Sequence, residues 1–401
     1  LLLWQFASIF FLLLACWLLS GKCFREQGPR WAGVSLVAAL LTLPVAGTAL
    51  YILDQYTNPR NLVASAGIFA INAVLEKKYF QMVLWLAAAF AMHPLMPVFV
   101  LSFCLLLIVM GSGRSSSLQL AAISPLGFLF DPPSPAYHEA LNSHSYFLLL
   151  RWEWYEWLGI IAPIVLLWWL SRLARANKQQ TLELLCRALV VYGSIYFIGA
   201  LIVAIPARLE NLSRLQPLRS LYLLYILLVL IGGGFLGQYV LKAKVWRWLA
   251  LFLPLCAGMF FAQRALFPAS SHIEWPGTTP KNQWAQAFLW IRDNTPVNAF
   301  FALDPSHMRI DGEDMHGFRV MAERSMLADA VKDSGAVSMF PPLAEKWLEQ
   351  VHAQNNWKQF QLSDFQRLHA SYGVDWVVLQ QPGTAGLQCR YQNSAVMVCR
   401  I

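Results

Sequence analysis

Arg208-Leu-Glu-Asn-Leu-Ser-Arg-Leu-Gln-Pro-Leu-Arg219 lies between two long apolar runs and carries three arginines against one glutamate. Short basic connections between hydrophobic stretches are the mark of a chain that crosses a bilayer repeatedly. The composition agrees. Of 401 residues 57% are hydrophobic and only 13% charged, with 17 tryptophans, whereas a soluble domain averages about 25% charged residues. The charge is uneven. Residues 1–267 hold 19 Lys+Arg and 9 Asp+Glu, a net of +10, and residues 268–401 hold 11 and 13, a net of −2. The basic excess is thus a property of the apolar part and not the footprint of a nucleic-acid binder.

The apolar runs at 1–19, 31–53, 61–75, 79–110, 158–173, 188–205, 221–241 and 248–266 predict about eight spans of a polytopic α-helical bundle over 1–267. A small extracytoplasmic α/β domain follows over 268–401. Lys22, Arg25 and Arg30, then Lys77 and Lys78, then Arg172, Arg175, Lys178 and Arg187, then Lys242, Lys244 and Arg247 mark the inner side. On that assignment 208–219 is an outer loop whose charge opposes the rule. Either an anionic headgroup is held there, or the arginines snorkel to lipid phosphates. The run 79–110 is too long for one straight span, and His93-Pro94 with Pro97 predicts a kink or break. Residues 111–156 form the longest interruption, closed by Trp152, Trp154, Tyr155 and Trp157 as an interfacial belt. The chain opens at Leu1 inside an apolar run without methionine, and is read as lacking an N-terminal part.

In the second part, helical periodicity covers 284–293, 344–352 and 363–372, the last capped by Ser363 and stopped by Gly373. Strands are expected at 299–303, 374–379 and within 318–324, with a hairpin of 387–391 and 395–401. A three-residue hairpin turn would set Cys389 opposite Cys399, within disulfide range, and a two-residue turn would separate them. The other five cysteines lie in or beside apolar segments and read as small core residues.

Candidate chemistry follows from charge in unusual places. Arg208, Arg214 and Arg219 suit a phosphate, because guanidinium forks match its oxygens. Asp54 and Arg60 fall in one outer loop, either lining the same cavity or forming an ion pair at a helix start. His93 is ionisable within an apolar run, with a neutral ring bonding a freed carbonyl as the alternative. Asp131 and Glu139, with His138 and His144, offer acid, base or ligand groups in the long interruption; a divalent ion held by one carboxylate and waters is one option there. The density of Asp304, His307, Asp311, Glu313, Asp314 and His316 fits no calcium-loop register and reads as a solvated acidic loop. Arg319 and Arg324 either reach an anion or pair with Glu323 and Asp329. No phosphate-binding glycine loop, dinucleotide pattern or nucleophile elbow is present.

Several short motifs share an order with a known family. They are Gly47-Thr, Tyr56-Thr-Asn-Pro-Arg60 before a short helix, Met92-His-Pro-Leu-Met96 in a bent span and Arg214-Leu-Gln-Pro-Leu-Arg219. Trp290-Ile-Arg-Asp-Asn-Thr-Pro296, Phe318-Arg-Val-Met-Ala-Glu-Arg324 and Tyr372-Gly-Val-Asp-Trp-Val-Val378 follow in the last third. This layout resembles the GT-C class of polytopic glycosyltransferases, across nearly the whole chain. The resemblance implies a bacterial inner-membrane enzyme that moves a sugar from a polyprenyl-phosphate donor to a lipid, glycan or protein acceptor, with membrane lipids as neighbours and no organic cofactor. For such a transfer, chemistry rather than the resemblance offers Asp54, Asp131 and Glu139 as candidate catalytic carboxylates, and Arg60, His93, Arg208, Arg214 and Arg219 as candidate donor contacts. The carboxylate most typical of the class belongs to a first outer loop upstream of Leu1. A transporter for a lipid-linked sugar and a non-catalytic envelope assembly protein are the alternatives.

Overall fold

The structure, a computed structural model, describes residues 2–54, 58–112, 133–205, 207–270, 272, 273, 275, 277–310 and 317–401, without the side chains of Ala207 and Arg208. The first ten helices are α1 (Leu2–Cys23), α2 (Gln27–Ala39), α3 (Arg60–Leu75), α4 (Tyr79–Met92), α5 (Met96–Gly111), α6 (Pro135–Asn142), α7 (Trp154–Ala176), α8 (Gln180–Ala204), α9 (Leu221–Phe235) and α10 (Val245–Leu266). The chain divides into two compact units, Leu1–Pro132 with Ser145–Met259, and Pro133–His144 with Phe260–Ile401. The sequence alone suggests a single boundary after 267, with 133–144 in the apolar part.

Five helical stretches among the described residues are long and apolar enough to cross a membrane: α1, α7, α8, Leu209–Leu241 and α10. That corrects the expectation of about eight. Apolar run length overstated helix length. The run 31–53 contains helix only as far as Ala39, after which the chain turns and Pro44 bridges Tyr51. At 13 residues α2 spans about 20 Å, short of the roughly 30 Å of hydrocarbon. The run 79–110 is broken at His93-Pro94-Leu95 into α4 and α5, of 14 and 16 residues, and α3 has 16. The expected break is therefore present, but as two short helices.

In the first unit α2 packs on α9 with almost no space between backbones. A Cβ on Gly33 would lie 2.6 Å from the Leu230 carbonyl oxygen, and one on Gly233 would lie 2.8 Å from Gly33 Cα. Gly233 of the run Gly232-Gly-Gly234 thus permits the close approach of the two helices, and a π-helical turn follows over Leu236–Leu241. By contrast α10 buries none of its residues fully, and among its apolar residues only the stripe Trp248, Leu251, Phe252, Leu255 and Met259 is partly covered. Trp154 and Tyr155 are exposed as an interfacial belt requires, but Trp152 is buried and donates from Nε1 to the Ser145 carbonyl at 3.1 Å. Of the free cysteines, Cys16, Cys23, Cys104 and Cys186 are buried, whereas Cys256 on α10 is exposed.

The second unit is a five-stranded sheet with helices on both faces. After α6 come α11 (Gln283–Asn294), β1 (Phe300–Leu303), α12 (Phe318–Ala322), β2 (Ser325–Met326), α13 (Lys332–Met339), α14 (Ala344–Ala353), α15 (Leu362–Tyr372), β3 (Trp376–Gln380), β4 (Gln388–Gln392) and β5 (Val396–Arg400). Strand order is β2-β1-β3-β5-β4, with β1 parallel to β2 and β3 and the last three antiparallel. Alternation decides the faces. Phe301, Leu303, Val378 and Val398 pack with Phe288 and Ile291 of α11 and Phe318 of α12, while Ala302, Val377 and Leu379 pack with Phe365 and Leu368 of α15. The stretch 318–324 is helical before it turns into β2, not a strand throughout, because Glu323 adopts a left-handed conformation (φ 50°) that ends α12. The cap of α15 is Gln361, reciprocated by Asp364, rather than Ser363; Gly373 ends the helix at φ 72° as expected.

The hairpin resolves the cysteine alternatives in an unforeseen way. Its turn is the short one: the Asn393 amide donates to the Val396 carbonyl, and Asn393 Oδ1 accepts from the Ala395 and Val396 amides. That register would have separated the cysteines. A bulge between Cys389 and Tyr391 shifts the pairing back by one residue. Cys389 then faces Cys399, and the two are joined in a disulfide.

Candidate functional site

Four of the sequence-predicted residues, Asp54, Arg60, His93 and Arg219, come together in the first unit. Arg60 opens α3, where a cation opposes the helix dipole. Asp54 offsets this: Arg60 Nε donates to Asp54 Oδ2 at 2.8 Å, and Nη2 donates to the same oxygen. Both side chains are mostly buried, at 15% and 11% exposure. Buried Asn61 locks the approach to the pair. The Asp54 amide donates to Asn61 Oδ1 at 3.1 Å, and Asn61 Nδ2 donates back to the Asp54 carbonyl at 3.3 Å. Asn58 Oδ1 accepts the Arg60 amide at 2.9 Å, which starts the helix. Removing one member of such a pair strands the other, at about 3–5 kcal/mol.

Arg219 approaches from the turn before α9. Its guanidinium lies 5.6 Å from the centre of the Tyr146 ring, and the charges of Arg60 and Asp54 act on it through space. Its Nε is buried with no hydrogen-bond partner among the described residues. The same holds for Gln216 Oε1 and Ser220 Oγ, one on each side of it. Three unsatisfied polar atoms within five residues are costly, at about 1–3 kcal/mol each, and such orphans call for an explanation. Gln216 itself is left-handed (φ 49°), a conformation that turns the chain into the Pro217–Ser220 helical turn. Beside these groups is a cavity of about 20 Å3, lined by Thr48, Tyr146, Ser213, Gln216 and Arg219 among others. That volume suits a single water-sized group. Burial raises the Tyr146 phenol above its ordinary range, against the opposing pull of Arg219 and Arg60.

His93 ends α4 and caps α5. Its Nδ1 accepts from the Leu95 and Met96 amides at 3.2 and 3.3 Å, so the ring satisfies amides and not the freed carbonyl that was expected. Arg60 and Arg219 act electrostatically on it as well. Arg214 is half-buried on the 3-10 segment Ala207–Leu215, without a hydrogen bond or ion pair among the described residues. Arg208 is on the same segment, but its side chain is outside the described residues, as is Asp131.

Glu139 is on α6, in the second unit, where it faces His352 Nε2 at 3.4 Å. The neighbouring groups hold α6 to that unit: the Tyr137 hydroxyl donates to the Ser338 carbonyl at 2.8 Å, and His144 Nε2 lies 2.9 Å from Ser334 Oγ. No group of three or more His, Cys, Asp or Glu able to hold a metal occurs among the described residues. Of the acidic loop, 311–316 lies outside them. Arg319 pairs with Asp333 at 2.7 Å and approaches Asp329, while Arg324 donates to the Thr295 and Arg292 carbonyls. Both are structural.

Sequence reasoning overlooked Tyr146, Gln216, Ser220 and Asn61. Only Gln216 carried a local signal, as the residue before a proline in a charged turn. The arrangement as a whole nets one positive charge, since two guanidiniums, Arg60 and Arg219, face one carboxylate, Asp54. No family model matches the chain, and no curated protein is significantly similar to it.

Proposed function

We infer that this chain is a membrane glycosyltransferase that takes a sugar from a polyprenyl-phosphate donor, with Arg219 and Arg60 on the donor phosphate. One observation carries the reading: a buried arginine whose Nε is unsatisfied among the described residues, beside an Arg–Asp pair, in a chain whose described residues include five helical stretches long and apolar enough to cross a bilayer. A phosphodiester brings one negative charge, the amount that the cluster lacks. Its oxygens would accept from Arg219 Nε and from the free edge of Arg60. The cavity is too small for a sugar, so it is assigned to a headgroup oxygen. In transfer, departure of the lipid phosphate is eased by the guanidiniums, and Asp54, whose Oδ2 already holds Arg60, keeps Oδ1 to accept a proton from the acceptor hydroxyl. The disulfide fits an oxidising compartment for the small unit, which favours the outer face of a bacterial cytoplasmic membrane.

The test is titration of polyprenyl-phosphate glucose into the full chain in lipid nanodiscs, with Arg60→Lys, Arg214→Lys and Arg219→Lys. Lysine keeps the charge and loses the fork. Losing a charge-assisted bond costs about 1.5–3 kcal/mol, so the Arg219 variant should bind roughly ten- to a hundred-fold more weakly. Undiminished affinity in all three variants would reduce these arginines to membrane anchors and sink the reading.

A further inference from the structure

The small unit holds a cavity of its own, about 290 Å3, at the carboxyl end of β1. One wall is Asp304, Pro305 and Ser306, which directly follow the strand, and the other is residues 354–359, which join α14 to α15. β1 has a parallel neighbour on each side: the chain passes from it to β2 and later returns to β3 on the opposite edge. Connections diverge at that point, and open α/β sheets take their ligands at the carboxyl ends of strands where this happens.

The lining is dominated by groups that hydrogen-bond. Asp304 is only 9% exposed, and its Oδ1 accepts the Ser306 amide at 2.8 Å. Among the described residues it has no ion pair, and neither does Lys358 across the cavity wall. A buried carboxylate without a cation is costly until donors reach it. Gln354 is fully buried; its Nε2 donates to the Ala328 and Gln350 carbonyls, and its Oε1 has no partner among the described residues. Asn355 and Asn356 are exposed on the same wall. Carboxamides offer a donor and an acceptor together, which is what paired hydroxyls of a sugar ring require. The lining holds one carboxylate, and no group of three or more His, Cys, Asp or Glu able to hold a metal occurs among the described residues.

We propose that this cavity binds one sugar unit of a glycan, with Asp304 accepting from its hydroxyls and Asn355, Asn356 and Lys358 completing the contacts. Pro305 and Trp357 supply apolar wall for the ring carbons. The proposal does not depend on the lipid-phosphate reading, which concerns the other unit.

The full chain in lipid nanodiscs, free of glycosidic detergent, is titrated with methyl glucoside, methyl mannoside and N-acetylglucosamine by saturation-transfer NMR. Saturable binding of at least one is expected. Asp304→Asn keeps the acceptor for the Ser306 amide but loses the charge, and should weaken binding about tenfold or more. Lys358→Ala, at an exposed position, should weaken it severalfold and carries the test if the first variant misfolds, as judged by circular dichroism. Arg219→Lys should leave sugar binding unchanged. Absence of saturable binding for all three sugars, unaltered affinity in both small-unit variants, or loss of binding in Arg219→Lys instead would each overturn the proposal.

Discussion

Replacing Gly233 by alanine should push α2 away from α9. The added Cβ would sit 2.8 Å from Gly33 Cα and 2.9 Å from the Ala32 carbonyl oxygen. Both are backbone atoms, so no side chain can swing aside and one helix must shift. Overpacking of this kind costs about 1–3 kcal/mol. For a unit of roughly 150–250 residues each kcal/mol moves Tm by about 2–4 °C, so a fall of roughly 2–12 °C is expected. Gly232 provides the control, because a Cβ there meets nothing within 4 Å. Gly232→Ala should be neutral or raise Tm slightly, alanine being better in a helix by about 1 kcal/mol. The protein carries its own reporters. Cys16, Cys23, Cys104 and Cys186 are buried and become reactive only on unfolding, once exposed Cys256 has been changed to serine. A thiol-reactive dye during a thermal ramp then reads the first unit selectively. Equal midpoints for the two alanine variants would refute the close-packing account of the glycine run.

Two further outcomes concern the small unit. Asp329 is buried beside Asp333, and burial first, then that neighbour, raises its carboxyl above the ordinary value, while amide bonds from Lys332, Val331 and Asp333 oppose the rise and Arg319 lies 3.6 Å away. A raised carboxyl contributes stability below its unfolded pKa of about 3.8, lost as pH climbs through the folded value; Asp329→Asn should therefore flatten the fall in stability across that rise, and an unchanged pH profile would count against it. Reducing the Cys389–Cys399 bond, which closes a short loop, should cost about 2–3 kcal/mol of small-unit stability, and non-reduced peptide mapping that finds both thiols free would dispose of the linkage.

Much of the architecture was readable from periodicity, because burial forces it on the sequence. Phe301 and Leu303 against Ala302, or the stop at Gly373, follow from local rules. Helix length was less readable: between Trp31 and Leu53 an apolar chain turns at Pro44 without becoming polar, so composition alone promised a span that geometry does not supply. Asp54, Arg60 and Arg219 stood out since charge in an apolar setting is conspicuous. Gln216, Ser220 and Tyr146 did not, because uncharged polar residues look alike wherever they fall. The disulfide needed a bulge at Arg390 that no turn rule predicts. Nor could any local pattern reveal that His144 meets Ser334, 190 residues later.

That last contact has a topological consequence. A unit assembled from 133–144 and 260–401 must be gathered in a single compartment, since no side chain reaches through a bilayer to complete it. Whatever crosses a membrane between these two pieces must do so an even number of times. Among the described residues four long apolar stretches follow His144, namely α7, α8, Leu209–Leu241 and α10, the last running on to Leu266 at the start of the second piece, and four crossings would satisfy the parity. Were all four to cross, deleting any one of them would put the C-terminal part on the opposite side from α6, and a chain so altered should yield either an unfolded small unit or a rejected helix.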